Sequence, residues 1–377
     1  MGFRDLINKA SKRSSSEIED EHIDEATAEE EHNENEEAYD IDSVYGEDST
    51  EDDESDDIYA SDDVYESSEN VYESTDSQDD SIYEQISSSD ESEEDYTVGA
   101  QGIREKLEST AKSGCNIVVT GCCGCGNSTV AYNLAVTLAK LGFKTLIVDF
   151  DTIDRSLSYI GSDSYEALGL ESMSLESAIN QGVRLGSAIR GVRKGLYAIG
   201  LGAAVDAYSF DETVKVDNIA KFMSDAKTQF EFVVYDIPLY TSLGKCMTAV
   251  SICDRLLLTS GASTSDMMKT ITALTNIEDD TLLRMMFTKS TPVFTKVRQG
   301  GLILGKKTAS ERDIVKQADA IIKWLAGEDI GVHFSDMNKA VSIKYDEKYD
   351  ECWYRKPAVS CSKEISNDFL NLISRAI

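Results

Sequence analysis

The chain has 377 residues and a formal net charge of −34, so its length allows two average domains or one large domain with extensions. The charge is concentrated in residues 1–100, which carry 37 acidic and 4 basic residues, whereas the rest of the chain is close to neutral. No apolar stretch reaches the length that a membrane-spanning helix needs, and no apolar segment typical of a secretory signal follows the basic N-terminal residues. We therefore expect no membrane-spanning helix. The eight cysteines are unevenly spaced and three of them crowd one loop, which is typical of reduced thiols in a cytoplasmic protein.

The first 13 residues, MGFRDLINKASKR, differ from the acidic sequence that follows them. Their apolar side chains fall at helical spacing on one face, with basic residues beside that face. A short basic amphipathic helix can lie in a membrane interface or dock in the groove of a partner protein. The alternative is a frayed terminus with chance periodicity. The first interpretation predicts peripheral contact with the inner face of the cell membrane through residues 1–13.

Residues 14–99 form an acidic, Ser-rich segment that lacks Trp, Pro and Phe. Such a segment cannot bury enough apolar surface to offset its ordering entropy, so we expect a disordered tail. A β-branched residue followed by Tyr recurs five times, at Val44-Tyr45, Ile58-Tyr59, Val64-Tyr65, Val71-Tyr72 and Ile82-Tyr83. These pairs predict recognition motifs, either docking sites for partner proteins or phosphorylated tyrosines. The alternative is a spacer that is extended by repulsion between its charges. The negative charge argues against nucleic acid as a partner of this segment.

Residues 100–377 are predicted to form one globular domain that begins with a strand, a Gly-rich loop, a helix and a second strand. The first strand is NIVVTG (116–121), the helix is STVAYNLAVTLAKLG (128–142) and the second strand is KTLIVDFD (144–151). The loop GCCGCGNST (121–129) has the spacing of a phosphate-binding loop, and this strand–loop–helix context is what that interpretation requires. The order of elements indicates a right-handed βαβ unit.

The same alternation continues to the end of the chain. Strands are predicted at 196–202, 230–238, 255–260 and 282–290, and helices at 218–229, 310–327 and 362–377. Thr308 and Glu311 form a plausible capping box for the second of these helices. The fold class is therefore α/β, with a mostly parallel, doubly wound sheet covered by helices on both faces. Ligands of such sheets bind at the carboxyl ends of the strands.

Four motifs in order resemble the MinD/ParA group of P-loop ATPases. GCCGCGNST matches the frame of the deviant Walker A loop, LIVDFDTIDRSLSYIG the Asp-x-Asp and switch I segment, FVVYDIP the Walker B strand, and DMNKAVSIKYDE (336–347) the late segment near the adenine. The resemblance covers about residues 114–377. It implies a P-loop NTPase fold, ATP or ADP with Mg²⁺ as cofactor, and a homodimer. The TadZ/CpaE branch of pilus-assembly localisation proteins is similar in tolerating an atypical loop.

The resemblance also implies roles for individual residues. The nucleotide-binding loop would consist of Gly121, Cys122, Cys123, Gly124, Cys125, Gly126, Asn127, Ser128 and Thr129, with its backbone amides around the phosphates. Ser128 would bind Mg²⁺, and Asp236 would hold the ion through water. Asp151 would position or activate the attacking water, Asp149 would support the metal shell, and Thr288 or Lys289 would lie near the base. The alternative for the three acids is that they merely end strands and cap turns.

The loop departs from the family pattern at the two positions that carry lysine. Cys122 aligns with the signature lysine and Asn127 with the phosphate-binding lysine. The loss of charge-assisted contacts to a phosphate costs about 1.5–3 kcal/mol each. The effect on a phosphoryl-transfer transition state is larger, because charge builds up on the transferring group. We therefore predict weak nucleotide binding and slow or absent turnover.

The three loop cysteines allow a different interpretation, a metal or cluster site. Cys122, Cys123 and Cys125 would then need a fourth thiolate, from Cys115, Cys246 or Cys253. The simpler explanation is that cysteine is small enough for a tight loop around a phosphate.

Three functions fit the sequence. The first is a degenerate MinD/ParA-like protein that acts as a positioning or scaffold factor for a membrane-associated or polar machinery, such as pilus or secretion assembly or division. The second is an active ATPase or a relative of the bacterial tyrosine kinases. The third is ParA-like DNA partitioning, for which the candidate basic patch is Lys289, Lys296, Arg298, Lys306, Lys307 and Arg312; the same patch could instead hold the acidic tail or face a membrane.

Overall fold

A computed structural model describes residues 97–153, 157, 174–181, 185–202, 205–239, 243–277, 279–298, 310–326, 331–351 and 357–377. The strands are β1 (Cys115–Gly121), β2 (Thr145–Asp149), β3 (Arg190–Arg193), β4 (Leu196–Gly200), β5 (Phe232–Asp236), β6 (Arg255–Gly261), β7 (Ser290–Val297) and β8 (Val341–Lys344). The helices are α1 (Thr97–Ser113), α2 (Asn127–Lys140), α3 (Leu175–Gln181), α4 (Leu185–Ala188), α5 (Ala207–Thr213), α6 (Val216–Gln229), α7 (Leu243–Ile252), α8 (Thr264–Thr275), α9 (Asp280–Lys289), α10 (Glu311–Ala326), α11 (Lys348–Glu351) and α12 (Lys363–Ala376). Short 3₁₀ turns cover Phe334–Asp336 and Ala358–Ser360.

The eight strands form one sheet in the order β3-β4-β2-β5-β1-β6-β7-β8. Every pair is parallel except β3 with β4, which is antiparallel. The carboxyl ends of the parallel strands therefore meet at one edge of the sheet, and the central strand β1 delivers the Gly-rich loop to that edge. This architecture confirms the predicted fold class.

Helices cover both faces of the sheet, as a parallel sheet requires. Side chains of β1 alternate between the two faces, so Val118 packs into one hydrophobic core while Ile117 and Val119 pack into the other. All seven residues of β1 are buried. Among the described helices, none is long and apolar enough to cross a membrane.

Most predicted elements of the domain are present, with ends that differ by at most two residues, but the strand predicted at 282–290 is wrong. Residues Asp280–Lys289 form helix α9, and the strand begins only at Ser290. The buried residues Leu283, Met286 and Phe287 follow helical spacing. Asp279 caps the helix by accepting bonds from the amides of Thr281 and Leu282.

The capping box at the start of α10 lies elsewhere than predicted. The Ser310 hydroxyl accepts a 3.3 Å bond from the Asp313 amide, and the Asp313 carboxylate accepts a 3.0 Å bond from the Ser310 amide. Glu311 is instead bound to Arg375 of α12 at 2.9 Å and accepts from the Ser342 amide of β8 at 3.1 Å. Thr308 lies outside the described residues. Glu311 thus joins three elements at one side of the sheet.

Helix α1 was not among the predicted elements, although its pattern is visible. Ala100, Leu107 and Ala111 are buried against the core that contains α2 and α12. Their spacing of seven and four residues is that of one helical face. The amphipathic segment at residues 1–13 and the Tyr motifs lie outside the described residues, so those predictions stay predictions.

Helix α12 belongs to the same core as β1 and α2, so its side chains should carry part of the folding energy. Phe369 is fully buried on α12 and packs in that core. We expect Phe369→Ala to lower the free energy of unfolding by about 3–5 kcal/mol. Denaturant unfolding of the full chain measures this change.

The matched control is Ser374→Ala, which alters an exposed residue of the same helix. Its effect should stay within about 0.5 kcal/mol. Equal effects of the two substitutions would show that α12 does not pack on the sheet as described.

Candidate functional site

The loop between β1 and α2 holds a shape that glycine makes possible. Gly124 and Gly126 have φ angles of 76° and 85°, in the left-handed region that most side chains avoid. Gly126 is the N-cap of α2 and has no side chain to bind the first amides of the helix. Those amides point out of the helix N-terminus, where the helix dipole favours a negative charge. The geometry suits an anion such as a phosphate.

Asn127 ties this loop to the sheet rather than facing outward. Its side chain is buried, and its amide nitrogen donates to the carbonyls of Gly121 at 2.7 Å and Cys122 at 3.4 Å. Its amide oxygen accepts a bond from the Thr259 hydroxyl of β6. The Gly121 carbonyl also accepts the Leu239 amide at 2.9 Å, from the segment after β5. Asn127 is therefore a cross-link between the two ends of the loop and the neighbouring strand.

The close packing of the end of β1 against Thr259 and Asn127 requires glycine at position 121. A Cβ at this position would collide with the hydroxyl and carbonyl of Thr259 and with the Asn127 side chain. The end of β1 thus lies against β6 with no room for a larger residue.

Strand β7 holds the outer side of the loop. The Thr295 hydroxyl donates to the Cys125 carbonyl at 2.7 Å, and the Lys296 ammonium donates to the Gly124 carbonyl at 2.7 Å. Lys296 has a φ of 56°, the one positive value among the described residues other than glycine. Such a conformation costs about 1–3 kcal/mol. It coincides with a register shift between β7 and β8, where β7 has one extra residue between Phe294 and Val297.

Among the described side chains, the loop cysteines form no metal site with Cys115 or Cys253, and the side chain of Cys246 lies outside the described residues. The Cys122 thiol contacts the Lys269 carbonyl at 3.3 Å, and the Cys125 thiol contacts the Thr270 hydroxyl at 3.5 Å, so both face α8. Cys115 begins β1 and Cys253 precedes β6, at the opposite edge of the sheet. Burial raises the pKa of the Cys122 thiol to about 11, which keeps it protonated at neutral pH.

No group of three or more metal-binding side chains occurs in the described part of the chain. The metal-clip alternative is therefore not supported there, and the described contacts make Cys122 and Cys125 packing residues against α8. Cys123 is exposed.

Three buried acids lie at the carboxyl edge of the sheet, as the sequence predicts, although as described they do not form a cluster of three metal ligands. Asp149 ends β2 and Asp236 ends β5, and the two are register partners on neighbouring strands. Asp151 follows two residues after Asp149, and all three are at most 3% exposed. Asp149 accepts a 2.9 Å bond from the Asp151 amide, and Asp151 accepts a 2.8 Å bond from the Ile153 amide. Asp149 and Asp151 thus do cap turns, but they are also buried at the edge where ligands bind.

A cavity of about 380 Å³ adjoins the loop. Its walls come from the start of α2, the end of β7, the end of β8 and the residues that follow β8. The lining residues are Gly126, Thr129, Val130, Thr295, Lys296, Ile343, Lys344, Tyr345, Tyr349, Asp350 and Phe369. The Arg298 guanidinium lies over the Tyr345 ring, 5.9 Å from its centroid. The late segment predicted to lie near a base thus does border the loop.

Thr288 and Lys289 do not border it, so the prediction that they lie near the base is wrong. Both end α9, before β7 begins, at the amino edge of the sheet. The Lys289 ammonium donates to the Ser251 carbonyl at 3.1 Å, and the Thr288 hydroxyl donates to carbonyls of its own helix. The cause is the misassigned strand: β7 starts eight residues later than expected and brings Thr295 and Lys296 to the loop.

The predicted basic patch is also divided. Lys289 lies at the amino edge of the sheet, whereas Lys296 and Arg298 lie at the carboxyl edge. Lys306 and Lys307 are outside the described residues. Arg312 is an exposed residue of α10. Lys289 therefore does not share one surface with Lys296 and Arg298.

Sequence reasoning missed the residues that hold the loop, namely Thr259, Thr295 and Lys296. Each lies in or beside a strand that reaches the carboxyl edge, which is the signal that could have found them. The predicted loop residues, by contrast, are placed together. Ser128 is the half-buried second residue of α2, next to Asn127 and Thr129.

Comparisons with known proteins agree with this fold. No family model matches the chain. An uncharacterized ATP-binding protein of Methanocaldococcus jannaschii is 26% identical over 142 residues, which are 37% of this chain and 50% of that protein. The chain thus matches about half the length of this curated relative.

Two solved structures are similar over most of their own length. Apo McdA from Cyanothece superposes with a TM-score of 0.50 at 17% identity, covering 69% of this chain and 98% of that one. The cell division ATPase MinD of Pyrococcus furiosus has a TM-score of 0.47 at 20% identity, covering 70% and 98%. At 17% identity the likeness to apo McdA concerns the fold alone.

The buried position of Asn127 generates a prediction about stability. Asn127→Ala removes the amide that bridges Gly121, Cys122 and Thr259, and it leaves buried polar atoms without that partner. We expect the free energy of unfolding to fall by about 1–3 kcal/mol. Denaturant unfolding checks this value.

Asn218→Ala is the control, because Asn218 is a half-buried residue whose amide makes a 3.4 Å bond to Asn180 at the surface. Its effect should be below about 0.5 kcal/mol. If Asn127→Ala were as mild as this surface substitution, Asn127 would not be the cross-link described here.

Proposed function

We propose that this protein binds ATP or ADP with Mg²⁺ at the loop between β1 and α2, turns the nucleotide over slowly or not at all, and serves as a positioning or scaffold factor. The main observation behind the proposal is that a cavity adjoins this loop. The loop offers backbone amides at the start of a 14-residue helix, and the 380 Å³ cavity continues from Gly126 and Thr129. With the phosphates bound to the loop amides, the ribose and base would lie in the cavity.

The donors around the loop fit Mg²⁺, which prefers oxygen ligands. The Ser128 hydroxyl is the side chain that would bind the ion, and the Asp236 carboxylate would hold its water. Asp149, the register partner of Asp236, would add to the negative charge around it. When bound, the ion would neutralise charge on the phosphates.

Burial of three carboxylates at one edge of a sheet is costly unless they are hydrogen-bonded, paired or close to a cation, and a bound Mg²⁺ would lower this cost. Asp151 is buried and anchored by the Ile153 amide at 2.8 Å, which fixes the direction of its carboxylate. In the proposal, Asp151 positions a water near the phosphates and Asp149 fixes the turn on which Asp151 lies. The turn-capping bonds described above are compatible with this role, since a carboxylate has a second oxygen.

Slow turnover follows from what the loop lacks. Position 122 holds a cysteine whose thiol faces α8, and position 127 holds an amide whose nitrogen is bound to two loop carbonyls. Neither side chain supplies positive charge where a transferring phosphoryl group would develop negative charge. The site keeps the shape of a phosphate cradle without the two lysines that normally accompany it.

A scaffold role is supported by the rest of the sequence. The recurrent Tyr pairs in the acidic tail would act together through avidity, as several weak sites on one spacer do. The basic segment at residues 1–13 would add contact with a membrane surface or with a partner. Nucleotide-dependent dimerisation of residues 100–377 would then present two tails at once.

The alternative of an active ATPase or tyrosine-kinase-like enzyme makes a different prediction about turnover. In our proposal, calorimetry detects binding of Mg-ADP and Mg-ATP to the full chain, and hydrolysis is far slower than in the variant Asn127→Lys. The introduced lysine should tighten Mg-ATP binding about 10-fold or more, the value of one charge-assisted contact.

Lys289→Met is the control, since it removes a charge at the opposite edge of the sheet and should leave binding unchanged within about 2-fold. Thermal unfolding of each variant shows whether Asn127→Lys keeps the fold. Hydrolysis by the wild type at the rate of Asn127→Lys would refute the slow-turnover part. Absence of any nucleotide binding would refute the proposal as a whole.

A further inference from the structure

We infer that Lys296 supplies the phosphate-binding charge that the loop itself lacks, so that the site selects nucleoside diphosphates and triphosphates over uncharged nucleosides. This inference rests on the proposed function, because it concerns the same site. Lys296 belongs to β7, about 170 residues after the loop in the sequence, so it is not part of the loop motif.

Position is the first argument. The Lys296 ammonium lies 2.7 Å from the Gly124 carbonyl, at the tip of the loop, and the Lys296 side chain lines the cavity together with Gly126 and Thr129. An ammonium has three donors, and the bond to Gly124 uses one of them. The same group can therefore keep the loop carbonyl and donate to a phosphate oxygen on the loop amides.

Backbone conformation is the second argument. Lys296 is the only described residue other than glycine with a positive φ, and it lies in the two-residue interval where the β7–β8 pairing is irregular. Bulges of this kind redirect a side chain beside a binding site. A glycine would adopt this φ without strain, so the backbone alone gives no reason for a lysine here.

Charge is the third argument. The neighbouring Lys344 also lines the cavity, but its ammonium pairs with the Asp368 carboxylate at 3.7 Å. Arg298 stacks over the Tyr345 ring. In the described part of the chain, the Lys296 ammonium pairs with no carboxylate, and it donates a hydrogen bond to the neutral carbonyl of Gly124. Its charge is thus available to an anion in the loop.

In this arrangement a loop without lysines still has a fixed shape and a nearby cation. Asn127 fixes the loop shape, and the cation belongs to the strand that holds the loop from outside. A lysine is suited to this because its flexible four-carbon stem carries a compact charge.

The test is the affinity of the full chain for Mg-ADP, measured by calorimetry for the wild type, Lys296→Met, Lys296→Gly and the control Lys269→Met. Lys269 lies on the other side of the loop, and its ammonium is directed to Asp266 at 3.6 Å. Lys269→Met removes the same charge from the same region without touching the cavity.

We expect Lys296→Met and Lys296→Gly to weaken Mg-ADP binding about 10-fold or more, the effect of one charge-assisted hydrogen bond. Lys269→Met should stay within about 2-fold of the wild type. Lys296→Gly should keep or raise the thermal unfolding midpoint, because glycine relieves the positive φ. A loss of affinity without a loss of stability then assigns the effect to the ammonium.

Salt dependence separates phosphate contact from a role in holding the loop. The ratio of the Lys296→Met and wild-type dissociation constants should shrink between about 50 mM and about 500 mM salt, because salt screens the attraction in the wild type. A ratio unaffected by salt would overturn the inference, as would unchanged affinity of Lys296→Met or an equal loss in Lys269→Met. Failure of the wild type to bind Mg-ADP would instead refute the proposed function.

Discussion

The hydrogen bond from the Asn127 amide to the Gly121 carbonyl closes the loop between β1 and α2, and the geometry of the site depends on it. The same side chain accepts from Thr259 of β6, so the loop, the central strand and its neighbour form one polar cluster inside the sheet edge. A buried amide with all of its groups bonded holds one arrangement, because every alternative leaves a polar atom unsatisfied. The helix N-terminus is therefore kept open toward solvent in a fixed direction.

This constraint separates the shape of a phosphate site from its charge. If one lysine both fixed the shape of the loop and supplied its positive charge, replacement of that lysine would remove both. Here shape comes from Asn127, Thr259 and Thr295, whereas a cation in contact with the loop, Lys296, belongs to β7. Such a separation would allow nucleotide binding with weak stabilisation of a transition state, as the proposed function requires.

The sequence was sufficient for the α/β architecture, because β1, β2, β5 and β6 are apolar runs that end at a sheet edge in Gly or Asp. It also placed the loop, Asp149, Asp151 and Asp236 together, since carboxyl ends of parallel strands must meet. It failed at residues 282–290, where an apolar stretch at helical spacing was taken for a strand, and this error displaced the cavity-lining residues to Thr288 and Lys289. The direction of the Asn127 side chain was beyond local patterns, because it depends on Thr259, 132 residues away.

Hydrogen exchange of the full chain with and without Mg-ADP, followed by mass spectrometry, tests the central claim most directly. The claim is that β1, β7 and β8 together build one phosphate and nucleotide site around a loop that Asn127 holds. It predicts added protection in three separate segments, residues 121–130, 293–298 and 341–350, with no change in residues 280–289. Protection that is absent from 121–130, or that appears in 280–289 instead of 293–298, would contradict it.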